Sequence, residues 1–372
     1  MEQNKQRTLA NYKDKIHSCS KCGLCQAVCP VFQVTGNECT VSRGQFIMLD
    51  GIVRGKLKLN KNINKYLDLC LKCNKCSEFC PSDIDVVDIL LCAKYEYFKK
   101  SLEGKIYGFL ESKFIFNTIL NIPKFLTRPL NNYKSKKFDT KAVYFGGCIS
   151  NFTPNLNKYV IKLLNSIKIE VVPANLNCCG MPFLTTGNLD RFIENMQENI
   201  KKLPDDIDYI ITDCASCEWI WGKYKKYADA PELKEKLDRI KIKNIYELIS
   251  ENNLQFESKN RYKLTYHKPC HEHCSDSIEI IIKNIKNTEY IELDGKNECC
   301  GFGAFEHPQT LKTILPVLKS KKMKIKSTKA DFVLTTCVGC LVNLNFLLVV
   351  AQQKAKRLLS FLKDSCIINK TL

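Results

Sequence analysis

Cys19-Ser20-Lys21-Cys22-Gly23-Leu24-Cys25-Gln26-Ala27-Val28-Cys29-Pro30 decides the reading of this chain, because it recurs as Cys70-Leu71-Lys72-Cys73-Asn74-Lys75-Cys76-Ser77-Glu78-Phe79-Cys80-Pro81. In each copy three cysteines are separated by two residues, and a fourth follows after three more with proline behind it. Three thiolates at that spacing wind around one corner of an iron–sulfur cubane, while the fourth, fixed by the proline, points to the neighbouring cluster. The pattern assigns Cys19, Cys22, Cys25 and Cys80 to one [4Fe–4S] cluster and Cys70, Cys73, Cys76 and Cys29 to another. Zinc sites usually take two separated ligand pairs rather than a triplet plus Cys-Pro, so zinc matches this half poorly. Between the copies, Gly44 to Val53 has the apolar spacing of a helix. The module is therefore expected to be largely helical.

Further along, a different pattern also occurs twice. Cys148, Cys178-Cys179-Gly180, Cys214 and Cys217 are echoed by Cys270, Cys299-Cys300-Gly301, Cys337 and Cys340, starting 122 residues later. The surrounding sequence is α/β. Ala142 to Phe145, Glu170 to Val172 and Tyr209 to Thr212 read as strands, as do Leu264 to Tyr266, Tyr290 to Leu293 and Phe332 to Thr335. Helices are expected after the cap Thr153-Pro154, along the Leu189, Phe192, Ile193, Met196 and Ile200 stripe, along Ile278, Ile281, Ile282 and Ile285, and after Pro308. The cysteines thus fall at strand ends, where ligands gather in such sheets. Adjacent cysteines in a strand would face opposite ways. Only a turn brings both sulfurs to one centre, and Gly180 and Gly301 supply the positive φ for it. Five thiolates per repeat exceed the four of a cubane. They fit either a cluster of unusual nuclearity or four ligands plus one reactive thiol, and zinc stays open for one repeat.

Composition agrees. A chain of 372 residues with 22 cysteines and a polar N-terminus lacks the apolar stretch of a secretory signal, which argues against a disulfide scaffold and for metal or redox chemistry in a reducing compartment. The longest apolar run near the C-terminus, Phe346 to Ala351, is far short of the roughly 20 residues that span a bilayer. We expect a cytoplasmic protein that is able to sit peripherally on the inner face of the membrane. The formal charge of +18 raises nucleic-acid binding, with Lys319, Lys321, Lys322, Lys324, Lys326 and Lys329 as the densest basic run. No nucleic-acid module is recognisable, so an acidic partner or anionic lipid accounts for the charge with less invention. Residues 98–140 form a basic, aromatic, helical linker whose amphipathic surface suits either docking or packing on the protein's own core. His267 and His271 bracket Cys270, and His271 is the one candidate for a proton-donating role. Cys39, Cys92, Cys274 and Cys366 read as packing residues, with Cys274 the best candidate for an alternative ligand.

The duplicated Cys…Cys-Cys-Gly…Cys-x-x-Cys pattern resembles the cysteine-rich domain of the heterodisulfide reductase B subunit. With the ferredoxin module in front, nearly the whole chain resembles the glycolate oxidase iron–sulfur subunit family. The most specific stretches are Cys29-Pro30-Val31-Phe32, Thr35-Gly36-Asn37-Glu38, Arg43-Gly44, Asp68-Leu69-Cys70-Leu71, Tyr266-His267-Lys268-Pro269-Cys270-His271 and Cys299-Cys300-Gly301-Phe302-Gly303. Ser42, Gln45, Lys268 and Ala304 depart from the family pattern without removing a cysteine. The resemblance implies an α/β chain with a mostly helical two-[4Fe–4S] ferredoxin domain over 1–97, the linker, and tandem α/β cysteine-rich repeats over 141–255 and 256–372. It also implies further, noncubane Fe–S clusters on Cys148, Cys178, Cys179, Cys214 and Cys217 and on Cys270, Cys299, Cys300, Cys337 and Cys340. Gly301-Phe302-Gly303 lacks the third glycine of a dinucleotide fingerprint, so hydride chemistry is expected on a partner. That partner would be an FAD-binding dehydrogenase subunit oxidising glycolate or D-lactate, with a quinone at the membrane face as acceptor. Anaerobic glycerol-3-phosphate dehydrogenase C-type and heterodisulfide-reductase-like subunits are the alternatives.

Overall fold

Among residues 7–111, every regular element is helical, as the spacing of the first motifs requires. The computed structural model describes residues 7–111, 135–147, 155–303, 308–348 and 353–369, and it divides into two compact units, 1–112 with 182–192 and 298–321, and 113–181 with 193–297 and 322–372. The first unit contains α1 (Lys13–His17), α2 (Leu24–Val28), α3 (Pro30–Thr35), α4 (Ser42–Val53), α5 (Lys61–Asp68), α6 (Lys75–Glu78), α7 (Val86–Lys100) and α8 (Leu102–Leu110). Pro30 at the first position of α3 holds Cys29 extended at φ −82°, ψ 112°, because proline's ring forbids a helical residue before it. Helix α4 fits only with glycine at position 44, where a Cβ would lie 2.0 Å from the Glu38 carbonyl oxygen. Leu9, Ile16, Phe46, Leu49, Leu67, Ile89 and Leu90 form the core, and Cys19, Cys70, Cys76 and Cys80 pack against it. Buried Lys94 is neutralised by Asp68 at 3.0 Å and donates to the Thr185 carbonyl at 2.7 Å.

The second unit holds two copies of one parallel sheet. The first is β1 (Thr140–Phe145), β2 (Ile169–Val171), β3 (Tyr209–Thr212) and β4 (Lys241–Asn244) in the order β2-β1-β3-β4. The second is β5 (Gln255–Tyr266), β6 (Lys286–Tyr290), β7 (Phe332–Thr335) and β8 (Lys354–Arg357) in the equivalent order β6-β5-β7-β8, with β9 (Cys366–Asn369) antiparallel on β5. The sequence duplication is thus a duplication of topology. Helices α9 (Leu156–Ser166), α10 (Met181–Thr186), α11 (Leu189–Lys201), α12 (Ala215–Tyr227), α13 (Pro231–Arg239), α14 (Ile245–Glu251), α15 (Ser275–Lys283), α16 (Pro308–Ser327), α17 (Val338–Leu348) and α18 (Leu358–Ser365) complete the order. Leu156, Val160, Leu163 and Leu164 of α9 join Ile278 and Ile282 of α15 and Leu358 and Phe361 of α18 in one core that both sheets share.

Two differences from the sequence reading have physical causes. The strand expected at Tyr290 to Leu293 runs from Lys286 to Tyr290 instead, because this edge strand is polar and carries no apolar alternation. Its register on β5 is extended by a hydrogen bond from Ile291 N–H to the Leu264 carbonyl at 2.8 Å. Strands β4 and β8 are short and lysine-rich, so their apolar pattern is weak. The cap Thr153-Pro154 and linker residues 112–134 lie outside the described residues. The described end of the linker leaves Leu102, Ile106 and Phe109 of α8 exposed. Among the described residues no helix is long and apolar enough to cross a membrane.

A buried ion pair ties the two sheets together. Arg357 at the end of β8 bonds Asp213, which follows β3, and also donates to the Gly146 carbonyl at 3.3 Å, while the Tyr144 hydroxyl donates to Asp213 at 3.0 Å. Both charged side chains are essentially inaccessible. Burial pushes the Asp213 carboxyl up to about 6, although Arg357 opposes the shift. Removing one partner of such a pair typically costs about 3–5 kcal/mol, whereas replacing both with apolar groups is often neutral. Arg357→Met should therefore destabilise the protein by about that amount in urea unfolding, and Asp213→Leu/Arg357→Met should recover most of it.

Candidate iron–sulfur centres

The two N-terminal motifs adopt the same unusual backbone. Lys21 and Gly23 are left-handed at φ 57° and 88°, and their counterparts Lys72 and Asn74 are left-handed at 54° and 63°. Positive φ is uncommon for a lysine, yet it recurs at the same place. In both copies these residues flank the second cysteine, curling the chain so that successive sulfurs turn inward. Cys19, Cys22, Cys25 and Cys80 line one cleft with Phe46 and Ile84, and Cys29, Cys70, Cys73 and Cys76 line a second with Val87 and Leu90. Cys76 borders both. The Lys72 N–H points at Cys70 Sγ, 3.4 Å away.

Charge bears on what these clefts can hold. Burial pushes the Cys29 thiol up to about 11, and burial followed by the neighbouring thiolates pushes Cys76 higher still. Cys73 is raised well above the ordinary thiol range by burial and by the charge of Cys299. Cys22, at the surface, is instead lowered by hydrogen bonds from the Leu24 N–H and the Ser20 hydroxyl. Four converging sulfurs in an apolar cleft are stable as thiolates only around a cation, and an all-sulfur donor set suits iron–sulfur clusters.

In the repeats, Gly180 and Gly301 have φ 85° and 82°, giving the turn that Cys-Cys-Gly requires. The first is braced by polar groups that no spacing rule revealed. Asn195 and Asn199 donate to the Cys178 carbonyl at 2.8 and 3.0 Å, and the Tyr224 hydroxyl donates to the Cys179 carbonyl at 2.8 Å. Cys217 Sγ lies 3.8 Å from Cys179 Sγ. Cys148 lies outside the described residues, but Gly147 before it, at φ 73°, sits where a Cβ would be 3.1 Å from Cys217 Sγ. Cys214 caps α12 and Cys337 immediately precedes α17, so both CxxC pairs open helices.

The two CxxC motifs, read from the sequence as separate sites, meet. Ala215 N–H donates to the Thr336 carbonyl at 3.0 Å, and Ser216 Oγ lies 3.1 Å from Cys337 Sγ. Hydrogen bonds from Cys214 and then Cys340 pull Cys337 well below the ordinary thiol range, whereas the Cys179 contact pushes Cys217 above it. Beside them His271 is buried and stacks on Trp219 at 4.4 Å and 6°. His267 is buried as well, its N–H donating to the Leu334 carbonyl. Sequence reasoning missed two buried carboxyls. Glu272 accepts from the Tyr266 and Thr336 hydroxyls, Glu218 accepts from Asn244 at 2.6 Å, and burial pushes each up to about 7.

Of the second cysteine set, Cys270, Cys337 and Cys340 belong to the second unit, and Cys299 and Cys300 to the first. The Cys299 sulfur accepts from the Gly301 N–H at 3.3 Å. Among the leftover cysteines, Cys274 and Cys366 lie in the shared apolar core, Cys92 bonds the Arg7 carbonyl at 3.3 Å, and Cys39 is half-buried.

Residues 15–84 match the 4Fe-4S dicluster domain, and residues 142–220 and 264–345 each match the cysteine-rich domain. The chain thus carries one 4Fe-4S dicluster domain followed by two cysteine-rich domains, and its similarity extends to glycolate oxidase iron–sulfur subunits. It is 23% identical to the glycolate oxidase iron–sulfur subunit of Escherichia coli, over 92% of this chain and 93% of that one. It is 28% identical to an uncharacterised iron–sulfur protein of Methanococcus maripaludis, over 88% of this chain, and covers 66% of that protein's length. A hypothetical protein from Helicobacter pylori of known crystal structure shares the fold, with a TM-score of 0.52 and 11% identity over 95% of this chain and 75% of that one.

The Cys-Cys-Gly turn is open to a direct test. At Gly301 an added Cβ would meet Leu318 Cδ2 at 2.2 Å, in a left-handed backbone. Gly36, also left-handed, has nothing within 4 Å. Gly36→Ala should cost about 1–2 kcal/mol, the left-handed penalty alone, while Gly301→Ala should cost about 1–3 kcal/mol more through overpacking. Denaturant unfolding of the two variants measures the gap; equal costs would remove the packing argument.

Proposed function

We propose that this chain is the electron-transfer subunit of a flavin-dependent 2-hydroxy-acid dehydrogenase acting on glycolate or D-lactate. The observation that carries the reading is the contiguity of the thiol sets in the first unit. Cys76 borders both clefts, and Cys73 of the second cleft feels the charge of Cys299. A relay needs such unbroken neighbours. In this reading Cys19, Cys22, Cys25 and Cys80 hold one [4Fe–4S] cluster, and Cys70, Cys73, Cys76 and Cys29 hold the other. The five cysteines of each repeat hold further Fe–S centres, with zinc the alternative in one. The division into 1–97, 98–140, 141–255 and 256–372 marks the functional parts.

When bound, the clusters supply one-electron steps, which couple a two-electron flavin donor to a distant acceptor. Oxidising a hydroxy acid to its oxo acid yields two electrons and two protons. The flavin of an FAD-binding partner would accept both electrons, the protons would pass to solvent, and the clusters held by this chain's cysteines would carry the electrons singly towards a quinone. The chain's residues set the path. Cys22 is exposed, and Cys73, Cys299, Cys217 and Cys337 are buried, so the apolar surroundings exclude water from the inner centres.

Anaerobic addition of glycolate or D-lactate to the purified complex should reduce the clusters, seen by EPR. Reduction by glycerol 3-phosphate instead would redirect the substrate. The contact between Cys214 and Cys337 favours a second reading, in which the paired repeats reduce a disulfide; EPR signals that appear only with a disulfide and an oxidant would support it and overturn the first. Cys25→Ala should lower iron by about one cluster's four atoms, while Cys39→Ala should leave it unchanged.

A further inference from the structure

The internal repeat gives the ferredoxin module two equivalent faces, and among the described residues the unit's own chain covers one of them. At the covered face, Gly303 packs so closely that a Cβ would lie 3.0 Å from the Leu71 carbonyl oxygen, and the Thr310 hydroxyl donates to the Asp68 carbonyl at 3.0 Å. Residues 298–321 thereby bring Cys299 to Cys73, and Lys72 and Cys73 are 4% and 9% exposed. At the other face the same backbone presents Lys21 and Cys22, both exposed. Leu24 and Phe79 line the cleft there with Cys19, Cys22, Cys25 and Cys80, and remain 52% and 58% exposed.

Two large apolar side chains in water beside four sulfurs are an unfavourable arrangement for a surface with no partner. Their counterparts in the repeat are Lys75 and Val28, so the apolar bulk has been placed on the open side. Of the two cations in the cleft lining, Arg43 is held by Glu38 at 2.6 Å, and Lys21 is exposed. An exposed apolar centre of this kind matches a protein face with an apolar centre of its own.

We propose that the face formed by Leu24, Phe79 and Cys22 is the docking site of the flavoprotein donor, which covers the first cluster as residues 298–321 cover the second. This rests on the electron-transfer reading above. Cys19, Cys22, Cys25 and Cys80 would hold the cluster that accepts electrons singly from the partner's reduced flavin.

The test uses the full, cluster-loaded chain and the flavoprotein that co-purifies with it. Leu24→Glu/Phe79→Glu should weaken binding at least tenfold by interferometry and slow hydroxy-acid-driven cluster reduction to match, with dithionite-reduced EPR spectra unchanged. Ile280→Glu, at an exposed position of the second unit, should alter neither. If the double variant loads less iron, Phe79→Ser alone replaces it, with the same direction of change expected. Equal affinities of wild type and variant would overturn the docking site while leaving the electron-transfer reading intact. A wild-type complex whose clusters no hydroxy acid reduces would overturn both.

Discussion

Convergence of anionic sulfurs in an apolar interior is the constraint on which this structure depends. Each buried thiolate loses hydration, and each neighbour repels it, so the inner thiols resist ionisation: Cys29 rises to about 11, and Cys73 and Cys76 rise further. A cation-rich cluster reverses that balance, because coordination removes the proton and neutralises the charge. Left-handed backbone recurs at the cysteine turns. Left-handed Lys21, Gly23, Lys72 and Asn74 surround the N-terminal sulfurs, and left-handed Gly147, Gly180 and Gly301 surround those of the repeats.

Duplication solves the problem twice in two forms. In the helical module two copies of one motif exchange a cysteine, since Cys80 lines the cleft of Cys19, Cys22 and Cys25 while Cys29 lines that of Cys70, Cys73 and Cys76. In the α/β unit two copies of one sheet order share a core, and their CxxC helices abut through Ala215, Ser216 and Cys337. The Asp213–Arg357 pair adds a polar clamp between the sheets. Hydrogen bonds from Cys214, Cys340 and Ser216 hold Cys337 below the ordinary thiol range there.

Much of this was legible in the sequence, for physical reasons. Cluster ligation demands fixed spacings, so the eight N-terminal cysteines and the helices between them could be read directly, as could the φ of Gly180 and Gly301. Buried strands such as β3 and β7 are runs of apolar residues and could be found; β4, β6 and β8 carry lysines at exposed edges and could not. Contacts between distant residues leave no local signal. Nothing in the sequence near Cys178 points to Asn195, Asn199 or Tyr224, and nothing near Cys214 points to Cys337 or Arg357. The internal repeat was the one available hint.

The most direct measurement is EPR of the anaerobically purified full chain after dithionite reduction, with iron and zinc counted in the same sample. Adjacent clusters in the helical module predict broad, spin-coupled signals from two reduced [4Fe–4S] centres, with iron in excess of the roughly eight atoms those two require. An iron-free, EPR-silent protein with stoichiometric zinc would contradict the account.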